Sequence, residues 1–148
     1  MLEKSYNFTH TSYYIIKDNI NHEIIRKSED LDFKNLLNSC NIGLSTVIAS
    51  KKLFTKDIFF SNFKTKEDYY LWLKICQQGE KCYYYHEPLT YWRSTHNSLS
   101  SSTFQKIKDS FKLYYYFEKS FFKSIYRIII LALNFIKKKI NDIRFIKN

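Results

Sequence analysis

The sequence predicts an α/β domain with a helical C-terminal tail, and three stretches carry that expectation. "YNFTHTSYYIIK", residues 6–17, is rich in aromatic residues and Ile and reads as a strand. "TKEDYYLWLKICQQG", residues 65–79, places Tyr69, Trp72, Leu73 and Cys76 at the i, i+3, i+4, i+7 spacing of one helical face, with Tyr70, Lys74 and Gln77 away from it. From Thr103 onward the pattern is helical: Phe104, Ile107, Phe111 and Tyr114 form a stripe, and a second helix follows over residues 121–140.

Asp18 and Asn19 offer a turn between the first strand and "HEIIRK", so a hairpin is predicted. "SEDLDFKNLLNS" starts at Ser28, a cap candidate, continues through Glu29, Asp30 and Asp32, and sets Leu31, Leu36 and Leu37 near helical spacing, which predicts a short helix. In "IGLSTVIASKKLF", Val47 and Ile48 form a brief buried strand and "KKLF" opens another helical turn. The helix at 67–78 comes next. Glu67 and Asp68 occupy its first turn, where unpaired N–H groups and the helix dipole favour negative charge, and Gly79 stands where a left-handed cap is expected. "KCYYYHEPLTYWR" alternates loosely on either side of Glu87 and Pro88 and reads as strand, bend, strand, because Pro88 cannot donate to a ladder.

A chain of 148 residues has the length of one ordinary domain. Its 13 Tyr and 13 Phe, against 2 Gly and 1 Pro, exclude a disordered or loop-rich chain. The net charge of +10 is unevenly spread: residues 1–100 carry 13 Lys+Arg against 11 Asp+Glu, a net of +2, and residues 101–148 carry 11 against 3, a net of +8. Two segments are therefore expected, 1–102 as the folded domain and 103–148 as a basic amphipathic tail. Charge by itself does not choose between nucleic acid and anionic lipid as a partner for that tail. Cys40, Cys76 and Cys82 are an odd set without paired metal spacing, which fits a reducing cytoplasm better than a disulfide framework. "LEKSYNFTH" after Met1 has neither the apolar core nor the cleavage site of a signal peptide.

"IIILALNFI", residues 128–136, is a run of nine bounded by Arg127 and Lys137, well short of the roughly 20 residues needed to cross a bilayer. With Lys137, Lys138 and Lys139 after it and Phe121, Phe122 and Tyr126 ahead, residues 119–148 suit an anionic membrane surface, apolar face down and lysines on phosphates. A core-docked helix with one solvated charged side fits the same pattern.

Little conventional chemistry is visible. Gly43 and Gly79 stand apart, so no phosphate-cradling glycine loop exists. His86, Glu87 and His96 lack a recognised ligand spacing, and no metal ligands are assigned. No base is marked near any cysteine. Tyr83, Tyr84 and Tyr85 are not interleaved with basic residues as a base-stacking platform would be, and no nucleic-acid partner is expected. The pair Glu67 and Asp68 has two readings: charges suited to a helix start, or a general base with its neighbour.

Three ordered blocks carry a family resemblance. "NIGLSTVIASKKLF" holds Asn41, Ile42, Ser45, Thr46 and Val47; the next holds Glu67, Asp68, Tyr69, Leu71, Trp72, Leu73, Ile75 and Gly79; "HEPLTYWRSTHNSLS" holds Glu87, Pro88, Leu89, Arg93, Ser98 and Ser100. In that order the blocks resemble the C-terminal half of the family 2 glycosyltransferases, inverting enzymes with a nucleotide-sugar-binding α/β domain of GT-A type. "YNFTHTSYYIIKDN" looks like the strand that follows the family's metal-binding loop, so the likeness covers residues 6–117.

The resemblance implies a partial GT-A fold, the acceptor-side half of an enzyme that transfers a sugar from a nucleotide-diphosphate donor to a lipid-linked or surface-glycan acceptor. It makes Asp68 the general base, with Glu67 as neighbour. Ser45 and Thr46 would line the acceptor or pyrophosphate side, Trp72 would anchor the far side of the helix, and Arg93 and His96 would approach the donor's phosphates or metal. Arg93 could equally pair with Glu87, and His96 could sit in a solvated loop. The family's Asp-x-Asp motif, which holds a divalent cation (Mg or Mn), lies upstream of the point where the likeness begins; "DLD" at 30–32 follows the wrong strand. A separate N-terminal half is therefore an expected partner, and the inner face of the cell membrane the expected place of action. The competing expectation is a catalytically inactive peripheral membrane or polyanion-binding module that uses the same remnant fold and the basic tail.

Overall fold

A computed structural model describes residues 5–17, 20–26, 29–94 and 102–146. Strand β1 (Phe8–Lys17) is the spine of a four-stranded sheet. On one side its N-terminal half pairs antiparallel with β3 (Val47–Ala49) over Phe8–His10, and its C-terminal half pairs antiparallel with β2 (Ile20–Arg26) over Tyr13–Lys17. Along the other side runs β4 (Tyr83–Ser94), parallel to β1 over Thr9–Lys17. The hairpin predicted around residues 18–19 forms, with the turn residues themselves outside the described ones.

β4 corrects one expectation. Pro88 does not divide this segment into two strands. The register slips so that Tyr85 faces Thr11, Pro88 faces Ser12 and Thr90 faces Tyr13, leaving His86, Glu87 and Leu89 as surplus residues. A residue without an N–H is accommodated in such a bulge because the ladder is already interrupted there.

Helix α1 (Phe33–Asn38) is capped by Asp32: its side chain accepts from the Asn35 N–H at 2.8 Å, and the Asn35 side chain returns to the Asp32 N–H at 3.2 Å. Ser28, the cap suggested by the sequence, lies outside the described residues. Leu31 precedes the helix in a two-way backbone bridge with Cys82, both N···O distances 2.9 Å, and the Asp30 side chain accepts from the Tyr84 N–H at 2.7 Å. Short 3₁₀ turns occupy Leu44–Thr46 and Lys51–Leu53, the second where a helical turn is expected. Ile48, expected to be buried, is 57% exposed, because a three-residue edge strand covers only one face.

Helix α2 (Glu67–Gln77) is the centre of the core. Leu71 and Ile75 are buried besides Tyr69, Trp72, Leu73 and Cys76, so the helix is wrapped on more sides than one stripe would require. Trp72 packs its ring on Phe8 of the sheet at a centroid distance of 5.2 Å. Tyr69 meets Tyr114 edge-on from the opposite direction. Gly79 closes the helix at φ +93°, a conformation that disfavours any side chain.

Helix α3 (Thr103–Glu118) starts at Ser102, whose Oγ accepts from the Gln105 N–H at 3.3 Å; it ends at Lys119 in the left-handed region and hands over to α4 (Phe121–Ile146). Its inward residues are Asp109, Ser110, Leu113 and Tyr114. The predicted stripe exists, but of its members only Tyr114 is buried. Phe104, at 79% exposed, and Ile107 face solvent. Among the described residues no helix is long and apolar enough to cross a membrane.

Candidate active site

The acidic pair sits where the spacing placed it, in the first turn of α2. Lys66 is the N-cap and supplies no side-chain hydrogen bond, so charge at this helix start comes from Glu67 and Asp68. The Asp68 carboxylate accepts from the Tyr69 N–H at 2.7 Å. Burial holds the Asp68 carboxyl above its ordinary range; the Tyr69 N–H opposes this, and the neighbouring Glu67 adds to it. Repulsion between the two acids therefore contributes, but withdrawal from water is the larger cause. Glu67 Oε2 is buried without a hydrogen-bond partner, and so is Trp72 Nε1 five residues on. The helix thus carries an acceptor and a donor not used by the fold.

Two clamps make this turn rigid. The residue after Asp68 donates its hydroxyl to the Leu36 carbonyl of α1, and the Tyr114 hydroxyl lies 3.0 Å from the Tyr69 hydroxyl and 3.1 Å from the Leu37 carbonyl. A buried phenol network of this kind fixes the axial position and rotation of α2.

The second clamp is Asp109 of α3, which no local pattern in the sequence marks. Its Oδ2 accepts from the Lys64 N–H at 3.2 Å, the Thr65 N–H at 3.1 Å and the Thr65 hydroxyl at 3.0 Å, while Oδ1 accepts from the Gln105 amide at 2.9 Å. The loop entering α2 is thereby tied to α3. Asp109 is 2% exposed, yet only thinly covered, so its own partners close it off. Burial works to raise its pKa, but the Gln105 amide, the Thr65 hydroxyl and the two N–H groups outweigh this and hold the carboxyl below its ordinary value. A depressed folded pKa contributes stability above the unfolded carboxylate range, lost as pH falls through the folded value. Asp109→Asn is accordingly expected to cost about 1–3 kcal/mol at neutral pH, because an amide N–H replaces one acceptor, and to flatten the acid limb of the stability curve. Denaturant titrations at several pH values check both; an unchanged acid limb would remove Asp109 from this role.

The other residues singled out by the sequence are placed unevenly. Thr46 is buried and donates its hydroxyl to the Gly43 carbonyl at 2.8 Å, whereas Ser45 is exposed at the turn leading into β3. The Thr90 hydroxyl donates to the Ser45 carbonyl at 3.3 Å, which joins this turn to the bulged part of β4. Arg93 is exposed on β4 opposite Ile16 and makes no ion pair with Glu87, which faces the Tyr85 hydroxyl instead. His96 lies outside the described residues, as do Ser98 and Ser100. The structure brings Ser45 and Thr46 to β4, and Trp72 to Phe8, whose strand partner is Ala49. No hydrogen bond joins Asp68 to the Ser45 turn. Cys76 and Cys82 are buried, which pushes the Cys76 thiol up to about 12 and Cys82 higher still, so neither is a nucleophile at neutral pH. Among the described residues no three His, Cys, Asp or Glu side chains are grouped to hold a metal ion.

A rigidly mounted, partly desolvated carboxylate at a helix start is chemically able to accept a proton. The chain is 27% identical over 143 residues to a Bacillus subtilis protein named as a teichuronic acid biosynthesis glycosyltransferase, TuaG, covering 95% of this chain and 56% of that protein. It is 33% identical over 100 residues to the Escherichia coli UDP-Glc:α-D-GlcNAc-diphosphoundecaprenol β-1,3-glucosyltransferase WfaP, covering 68% of this chain and 39% of the relative. To WfgD of Escherichia coli, which bears the same activity name, it is 30% identical over 115 residues, covering 73% and 42%. These likenesses support a glycosyltransferase family for the chain. It spans about half the length of the curated relatives it matches. No family model matches, and no solved structure does.

Proposed function

We propose that residues 1–148 form the acceptor-side half of an inverting family 2 glycosyltransferase of GT-A type, acting in capsule, O-antigen or lipooligosaccharide synthesis at the inner face of the cell membrane. The observation that carries this reading is the Asp68 carboxylate, anchored by the Tyr69 N–H and raised in pKa by burial. In the reaction an acceptor hydroxyl attacks the anomeric carbon, the new C–O bond forms as the bond to the nucleoside diphosphate breaks, and Asp68 takes the hydroxyl proton. A raised pKa makes the carboxylate a stronger base. Glu67 is the neighbour of this base, Trp72 anchors the helix from the core side, and Ser45, Thr46, Arg93 and His96 complete the substrate contacts.

The relatives named for UDP-Glc and a diphosphoundecaprenol acceptor support a UDP-sugar donor and a lipid-linked acceptor for this chain as well. The complete enzyme would use a divalent cation to neutralise the leaving diphosphate. The described residues do not form a cation site, and no step above runs through one. That loop and the donor pocket are assigned to the part of the relatives' length that this chain does not cover.

Isothermal titration provides the test. Residues 1–148 by themselves are expected to bind neither UDP- nor GDP-sugars, whereas mixing with the separately expressed upstream half restores transfer to a GlcNAc-diphospho-lipid. Donor binding in the micromolar range by the isolated chain, or failure of the mixture to transfer any nucleotide sugar, refutes the reading.

A further inference from the structure

The outward face of α4 is apolar along most of its described length. Phe122, Ile125, Tyr126, Ile129, Leu133 and Ile136 are all exposed, Phe122 at 83%, and successive turns place them within about 100° of arc over a rise of about 21 Å. The opposite face carries the packing: Ser124 is buried, Arg127 pairs with Glu118 at 2.6 Å and donates to Asn38 at 2.7 Å, and Asn134 donates to the Asn38 carbonyl at 2.9 Å. Ile128 and Leu131 pack against the core on this same inward side, so the helix is docked through a mixed face and still presents a second, wholly apolar stripe to solvent. Ring contacts extend the patch onto α3, from Phe122 to Phe121 at 5.7 Å and on to Phe111 at 5.6 Å, beside the exposed Phe104 and Ile107. A contiguous apolar surface of this extent marks an interaction site.

Charge chooses the occupant. Lys108, Lys112, Lys123 and Lys137 are exposed around the patch. Of the three acids in residues 101–148, Asp109 is consumed by the α2 loop and Glu118 by Arg127, and Asp142 lies past the end of the stripe. Two copies meeting through this face would bring like charges together, whereas anionic headgroups neutralise them. We propose that α3 and α4 form a docking surface for an anionic lipid bilayer, with the α4 stripe lying in the interface and the lysines on headgroup phosphates. This surface is independent of any role for Asp68.

Flotation of the full 148-residue chain with phosphatidylcholine vesicles containing phosphatidylglycerol tests the proposal. Binding is expected, weakened in vesicles of phosphatidylcholine only and by high salt. Ile129→Glu with Leu133→Glu is expected to weaken it at least about tenfold, since one buried side chain of this size is worth that factor. Phe122→Ser, at the most exposed position of the stripe, should act in the same direction, and unchanged circular dichroism in both variants shows that the fold survives. Lys123→Gln with Lys137→Gln should reduce the preference for phosphatidylglycerol while retaining residual binding. Absence of vesicle binding, equal binding by the glutamate variant, or a dimer in sedimentation that the glutamate variant dissociates would each overturn the proposal.

Discussion

Asp68→Asn is expected to abolish sugar transfer and, at the same time, to stabilise the fold. Removing a positioned general base lowers turnover about 10²–10⁴-fold, and the asparagine side chain keeps an oxygen able to accept from the Tyr69 N–H, so the geometry of the turn should persist. The stability gain follows from the direction of the pKa shift. Burial raises the folded value above 3.8, so folding penalises the ionised form. That penalty is absent below the unfolded value, grows as pH rises through the interval between the two, and is fully present above the folded value. At neutral pH the neutral amide escapes it, and the thermal midpoint should rise relative to the parent, with the difference vanishing in acid. Turnover in the reconstituted pair and melting curves across pH measure the two halves of this prediction. A variant that melts lower and still turns over would make Asp68 a structural acid.

Trp72→Ala is expected to cost about 3–5 kcal/mol by denaturant titration, because a large side chain, 2% exposed and packed on Phe8, leaves a cavity between helix and sheet that the surrounding layers cannot collapse to fill. Trp72→Phe should cost much less. The indole N–H has no partner, so replacing it forfeits no hydrogen bond and removes a buried donor. The phenylalanine variant therefore separates packing from binding. Because the indole is enclosed in the core, KM for the acceptor should stay unchanged. A raised KM with little change in kcat would instead place the indole N–H at the acceptor.

The site was legible in part because its signals are local. Two acids followed by a 3.6-residue apolar period define a helix start, and the position of Asp68 needs no tertiary information. Asp109 was not legible: a single acid in a basic amphipathic helix looks like a surface charge until the Lys64 and Thr65 N–H groups are brought to it across 44 residues of chain. The same limit affected Pro88. Proline reliably interrupts a ladder, but whether the strand ends or bulges depends on whether a neighbour, here β1, continues past it.

Residue order determined the α/β composition, the hairpin, the capped central helix with its acidic entrance, the basic tail and the likeness to a transferase half, since each follows from periodicity, local capping or linear motif. Only the tertiary structure decided that β4 lies parallel to β1, that Asp109 and Tyr114 lock the entrance of α2, and that the first turns of the α3 stripe and the stripe on α4 face outward. A stripe has the same period whichever way it faces; its direction is set by which side of the helix finds partners on the domain, and for α4 that side carries Ile128 and Leu131 on the core with Arg127 and Asn134 bonded to Asn38.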